Sequence, residues 1–77
     1  MKNIKLKLKH LGEVTIKPLT VGDMLGFSKI PEEKQMLHMV SKALLDPKMS
    51  VKDLENLDFK YLEDLSLIVE KLTNIEE

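Results

Sequence analysis

The chain has 77 residues, a formal net charge of −1 and no cysteine. That length holds one hydrophobic core, the missing cysteines exclude disulfides and thiolate metal sites, and no apolar run reaches the roughly 18 residues that a membrane-crossing helix needs. Domains this small bury too little surface to be very stable, so self-association or a protein partner is the expected source of further stabilisation.

Charge is unevenly placed. Residues 1–17 hold five lysines against Glu13, a balance of +4, whereas residues 51–77 hold three lysines against eight acids, a balance of −5. All twelve basic residues are lysine. Arginine supplies the bidentate forks that read phosphates and base edges, so its absence weighs against nucleic acid as the main ligand. The opening Met1-Lys2-Asn3-Ile4-Lys5 alternates charged and aliphatic residues and lacks the continuous apolar stretch of a signal peptide, so a cytoplasmic location is expected.

The first element is a strand: Ile4, Leu6 and Leu8 alternate with Lys5, Lys7 and Lys9, a period of two that marks a half-buried edge. His10-Leu11-Gly12-Glu13 reads as a turn, and Val14 to Lys17 as the returning strand of a hairpin that Pro18 ends. Thr20 with Asp23 forms a capping box that opens a short helix, with Val21, Met24 and Leu25 expected inward. Gly22 and Gly26 weaken that helix, and their spacing is expected to let it approach the hairpin closely. Pro31, Glu32 and Glu33 start a second helix. Its broad apolar face holds Met36, Leu37, Met39, Val40, Ala43 and Leu44, and it is expected to run to Asp46-Pro47.

Ser50 and Asp53 open a third, short helix with Leu54 and Leu57 inward. Asp58 caps a last helix over about residues 59–74. There Tyr61, Leu62, Leu65, Ile68, Val69, Leu72 and Ile75 make the apolar stripe, and Lys60, Glu63, Asp64, Glu70, Lys71 and Asn74 the expected solvent face. The resulting architecture is α+β, mostly α. One domain spans residues 1–77, with a β-hairpin in 1–17 and a bundle of about four helices in 20–75.

Catalytic chemistry is not legible in this pattern. His10 is expected to be exposed in the turn, and His38 to lie on a polar helix face between Lys34 and Lys42, whose charges disfavour a bound cation. No metal-ligand spacing, nucleophile turn or cofactor motif occurs. A non-enzymatic protein without metal or cofactor is therefore expected.

Some apolar residues fall off the core stripes: Phe27, Leu45 and Leu67. Five methionines stand among the 77 residues, and their flexible thioethers suit surfaces that accept several apolar shapes. Met24 and Met39 flank the expected core faces. Either these five residues (Met24, Phe27, Met39, Leu45, Leu67) fill a second internal contact, or they form an apolar patch for a protein partner.

Two stretches resemble the tail assembly chaperones of long-tailed bacteriophages and prophages. One is Ile16-Lys17-Pro18-Leu19-Thr20-Val21-Gly22-Asp23-Met24-Leu25. The other runs from Met49-Ser50-Val51-Lys52-Asp53-Leu54 through Glu55-Asn56-Leu57-Asp58-Phe59-Lys60-Tyr61-Leu62. Pro18, Thr20, Asp23, Asp53, Leu57 and Asp58 carry the match. The resemblance implies a short β segment followed by a helical body, with no catalytic residue. It also implies a role in virion assembly: binding the long, apolar, helical tape-measure protein, assisting tail-tube polymerisation around it, and leaving before the particle is finished. Two rival readings are a nucleic-acid-binding module that uses Lys5, Lys7 and Lys9, and a dimerising regulatory or adaptor protein, a homo-oligomer.

Overall fold

Strand alternation survives in three dimensions. In the computed structural model of the protein, which describes residues 3–74, β1 (Ile4–Leu8) pairs antiparallel with β2 (Gly12–Ile16), with Leu6 opposite Val14 and Lys7 opposite Glu13. Lys5 and Lys7 face solvent while Leu8, Val14 and Ile16 are buried. Gly12 closes the turn at φ +78°, a left-handed conformation that suits glycine because it has no Cβ.

The helices follow as α1 (Val21–Phe27), α2 (Glu32–Ala43), α3 (Val51–Glu55) and α4 (Leu62–Thr73), with a 3₁₀ turn at Phe59–Tyr61 before α4. Thr20 and Ser50 each accept a hydrogen bond from the backbone N–H of the aspartate three residues on, and that aspartate accepts from the cap's own N–H. Both are complete capping boxes, which satisfy two otherwise orphaned donors at each helix start. Asp58 accepts from the N–H of Lys60 and so opens the 3₁₀ turn.

α2 is the hub of the packing: it touches α1, α3, α4 and the third strand. Val40 and Ala43 from α2, Leu54 from α3, and Leu65 and Ile68 from α4 close on Leu8, Val14 and Ile16 of the hairpin. Two polar side chains of α2 tie down neighbouring loops. Gln35 Nε2 donates to the carbonyls of Phe27 and Ile30, and Ser41 Oγ donates to the Met49 carbonyl at 2.9 Å.

The fold class is as expected, an N-terminal hairpin followed by a mostly helical body, but three local readings are corrected. First, α2 stops at Ala43, and Leu44–Asp46 forms a strand, β3, on the outer side of β2 in a sheet of order β1-β2-β3. Leu44 is extended at φ −75° and ψ 116°, and the Lys17 N–H donates to the Ala43 carbonyl at 2.9 Å. The open edge of β2 offers backbone partners that outweigh continued helical periodicity, so Leu45 belongs to a strand and not to a helix face.

Second, Asp64 is not on the solvent face of α4. It is 1% exposed, and its Oδ2 accepts from the backbone N–H groups of His10 at 2.9 Å and Leu11 at 2.7 Å. Hairpin turns leave such donors unpaired, and a carboxylate beneath the turn supplies charge-assisted bonds to both. Third, His10 is held against α4: its side chain is 22% exposed, with Nε2 3.7 Å from Glu63 Oε1 and its ring edge-on to Tyr61 at 5.8 Å. Ile75 lies outside the described residues.

Removing the buried carboxylate therefore uncouples hairpin from helix. Asp64→Ala is expected to lower the unfolding free energy by about 2 kcal/mol, and Asp64→Asn, which retains an acceptor oxygen, by about half as much. Urea-unfolding midpoints followed by circular dichroism measure both. Wild-type stability in Asp64→Ala would show that the two bonds contribute nothing.

Candidate functional site

Helix α1 has one polar residue, Asp23, in the run Val21–Phe27, yet it buries none of its side chains fully. Val21 is 77% and Leu25 67% exposed, and Met24 is exposed beside them. At about 100° per residue, Val21 and Leu25 form a ridge, with Gly22 and Gly26 on the flank next to it. The face expected to point inward thus points to solvent, and Phe27, expected to point away, is half-buried. Asp23 accounts for the inversion: its carboxylate serves the Thr20 N–H and lies 3.7 Å from Lys42 of α2, so the polar flank of α1 is the one held against the body. The Thr20 N–H chiefly holds the Asp23 carboxyl below its ordinary pKa, with lesser help from Lys42 and Lys17 and against the opposing effect of burial.

The glycines do not serve close approach to the hairpin. A Cβ at Gly26 would meet nothing within 4 Å, and one at Gly22 would meet only Thr20 Oγ1 at 3.7 Å. Within this chain, α1 carries two helix-weakening residues that no internal contact requires.

A second apolar surface is built by α2, α3, the 3₁₀ turn and α4. Leu37 of α2, Leu54 of α3, Leu57, the rings of Phe59 and Tyr61, and Leu62 and Leu65 of α4 line a groove of about 240 Å³. Phe59 is 83% exposed on its lip. The local cause is the cap: Asp58 starts the 3₁₀ turn, which places Leu57 and Leu62 to either side of it and leaves Phe59 with no helix to cover it. An adjoining hollow shares Phe59 and Leu62 and adds Lys60, Glu63 and Ser66. The groove falls below the roughly 300 to 1,000 Å³ usual for small-molecule pockets, while the adjoining hollow holds about 340 Å³. The groove's only ionisable lining groups are Glu55, Asp58 and Tyr61, an array without a base and nucleophile pair.

The five residues singled out from sequence lie on four elements. Met24 is exposed on α1 and Leu67 exposed on α4, Phe27 and Met39 are half-buried, and Leu45 is half-buried in β3. None of them lines the groove. Sequence reasoning missed Phe59, which follows the Asp58 cap and stands on neither the apolar stripe nor the polar face expected for the last helix. Leu62, placed on the inward stripe, is in fact exposed.

Among the described residues, no group of three or more His, Cys, Asp or Glu side chains could hold a metal ion, and no helix is long and apolar enough to cross a membrane. No protein-family model, curated protein or solved structure matches the chain.

Side chains left in solvent contribute little to the fold. Val21→Lys and Leu25→Lys are each expected to change stability by no more than about 0.5 kcal/mol, while Ile68→Ala in the core costs about 2–5 kcal/mol. Gly26→Ala is expected to stabilise by up to about 1 kcal/mol. Thermal and urea unfolding test all four. Destabilisation by Gly26→Ala would reveal a packing role inside the fold.

Proposed function

We propose that this chain is a non-catalytic tail assembly chaperone of a long-tailed phage or prophage. It covers an apolar helical polypeptide of the tape-measure class in the host cytoplasm until tail-tube subunits replace it. The observation that carries this reading is α1: a helix of apolar residues and glycine whose one polar side chain faces its own body, leaving Val21, Met24 and Leu25 in water. A helix apolar on its outer side is normally covered, and an exposed apolar patch on a small domain marks a contact surface.

The groove beside Phe59 supports the same reading, and so does the resemblance carried by Pro18, Thr20, Asp23, Asp53, Leu57 and Asp58. The physical task is modest. Apolar helices associate with one another through their exposed stripes, and a small domain that offers a matching apolar face occupies the stripe reversibly. Binding that must later be undone is served by a small interface, which buries less than the roughly 800 Å² per partner of a stable complex.

The test is aggregation of a purified tape-measure polypeptide on dilution from denaturant, followed by light scattering. An equimolar amount of the wild-type chain is expected to suppress scattering several-fold, and the double variant Val21→Lys/Leu25→Lys to lose most of that effect while staying folded. Equal scattering with wild type and double variant would overturn the reading. So would a concentration-dependent dimer, seen by sedimentation equilibrium, that buries α1 and leaves scattering unchanged.

A further inference from the structure

We infer that the groove beside Phe59 receives an amphipathic helix whose apolar anchors are flanked by lysine or arginine. This deepens the proposed function and rests on it, because it names the chemistry of the partner segment at one of the two apolar surfaces. Charge complementarity carries it. The charged residues in the groove lining, Glu55 and Asp58, are both acidic, and the adjoining hollow adds Glu63, whose side chain is 68% exposed. Two lysines and His10 stand beside these carboxylates: Lys60 itself lines the hollow, and His10 Nε2 lies 3.7 Å from Glu63 Oε1. Lys34 Nζ lies 3.9 Å from Glu55 Oε2, and Lys60 Nζ lies over the Tyr61 ring at 5.6 Å. An incoming cation therefore finds carboxylates at the rim and replaces a loose surface bridge worth little by itself.

The form of the occupant follows from what lines the groove. Its walls come from α2, α3, the 3₁₀ turn and α4 and include no strand edge, so they offer side chains and not a ladder of backbone groups. A helix satisfies its own backbone and needs only side-chain pockets, whereas an extended peptide would leave donors unpaired. A second copy of the chain offers no such segment on its strand face, where Lys5 and Lys7 of β1 carry no apolar anchor because Ile4, Leu6 and Leu8 turn inward. Its exposed apolar helix, α1, lies between Lys17 and Lys29 but carries the acidic Asp23 within it, so a second copy is the rival occupant that self-association would reveal.

The probes are three synthetic amphipathic helical peptides with identical leucine anchors, flanked by lysine, glutamine or glutamate. Each is titrated into the full ¹⁵N-labelled chain, with affinity taken from amide shifts. The lysine peptide is expected to shift Leu54, Leu57, Tyr61 and Leu62 and to bind about tenfold more tightly than the glutamate peptide, a difference that shrinks as salt is raised. Glu55→Gln is expected to weaken the lysine peptide about two- to fivefold and Lys34→Ala to strengthen it by a similar factor, both through exposed side chains that leave the fold intact.

Equal affinities for the three peptides, or no response to salt, would overturn the inference and leave the apolar reading standing. Shifts confined to α1 would overturn the groove as the docking site, while the scattering assay on the α1 variant decides the proposed function independently. Self-association in place of peptide binding would overturn the inference as well.

Discussion

The Asp64 carboxylate sits under the hairpin turn and accepts the backbone N–H groups of His10 and Leu11, and through those two bonds the strands are fixed to α4. A two-stranded hairpin is marginal in water. Here it gains a third strand on one edge and an anchored turn at its tip, and its aliphatic face rests on α2 and α4. Burying a carboxylate is costly unless its oxygens are satisfied, and the turn supplies donors that would otherwise lack acceptors. Each side therefore solves the other's problem. The position of His10 against Tyr61 and Glu63 follows from the same anchor.

With the hairpin placed, the core is filled from one side. α2 lies at the centre, and its buried residues Val40 and Ala43 meet strands, α3 and α4. That concentration leaves α1 and the 3₁₀ turn thinly covered. α1 is tethered to α2 by a polar flank, with its apolar ridge outside. The 3₁₀ turn brings Phe59 and Leu62 to the rim of a groove that Leu54 and Leu65 floor. The two apolar surfaces have different causes: a cap that orients one short helix, and a turn that delays the start of another.

Different causes also permit different tasks. The α1 ridge has Gly22 and Gly26 beside it, which leaves its backbone open to close approach. At the groove, acidic residues border the apolar floor, and under the inference drawn above charge adds to shape in selecting a helix. Under the proposed function, two small surfaces give contact without permanence and without one large interface.

Much of the fold was legible in the residues themselves. Alternation in Ile4–Leu8, the glycine at the turn, the paired caps Thr20–Asp23 and Ser50–Asp53, and the helical spacing of Val40, Ala43, Leu65 and Ile68 are local properties, set by backbone geometry and the nearest few side chains. Direction was not. Nothing local tells Asp64 that a turn more than fifty residues earlier in the chain has two free N–H groups, tells Leu44 and Leu45 that an open strand edge waits beside them, or tells Val21 and Leu25 that Asp23 will hold their helix by its polar flank. Each of these outcomes depends on which distant backbone groups and charges arrive next to a segment, and only the assembled fold brings them together.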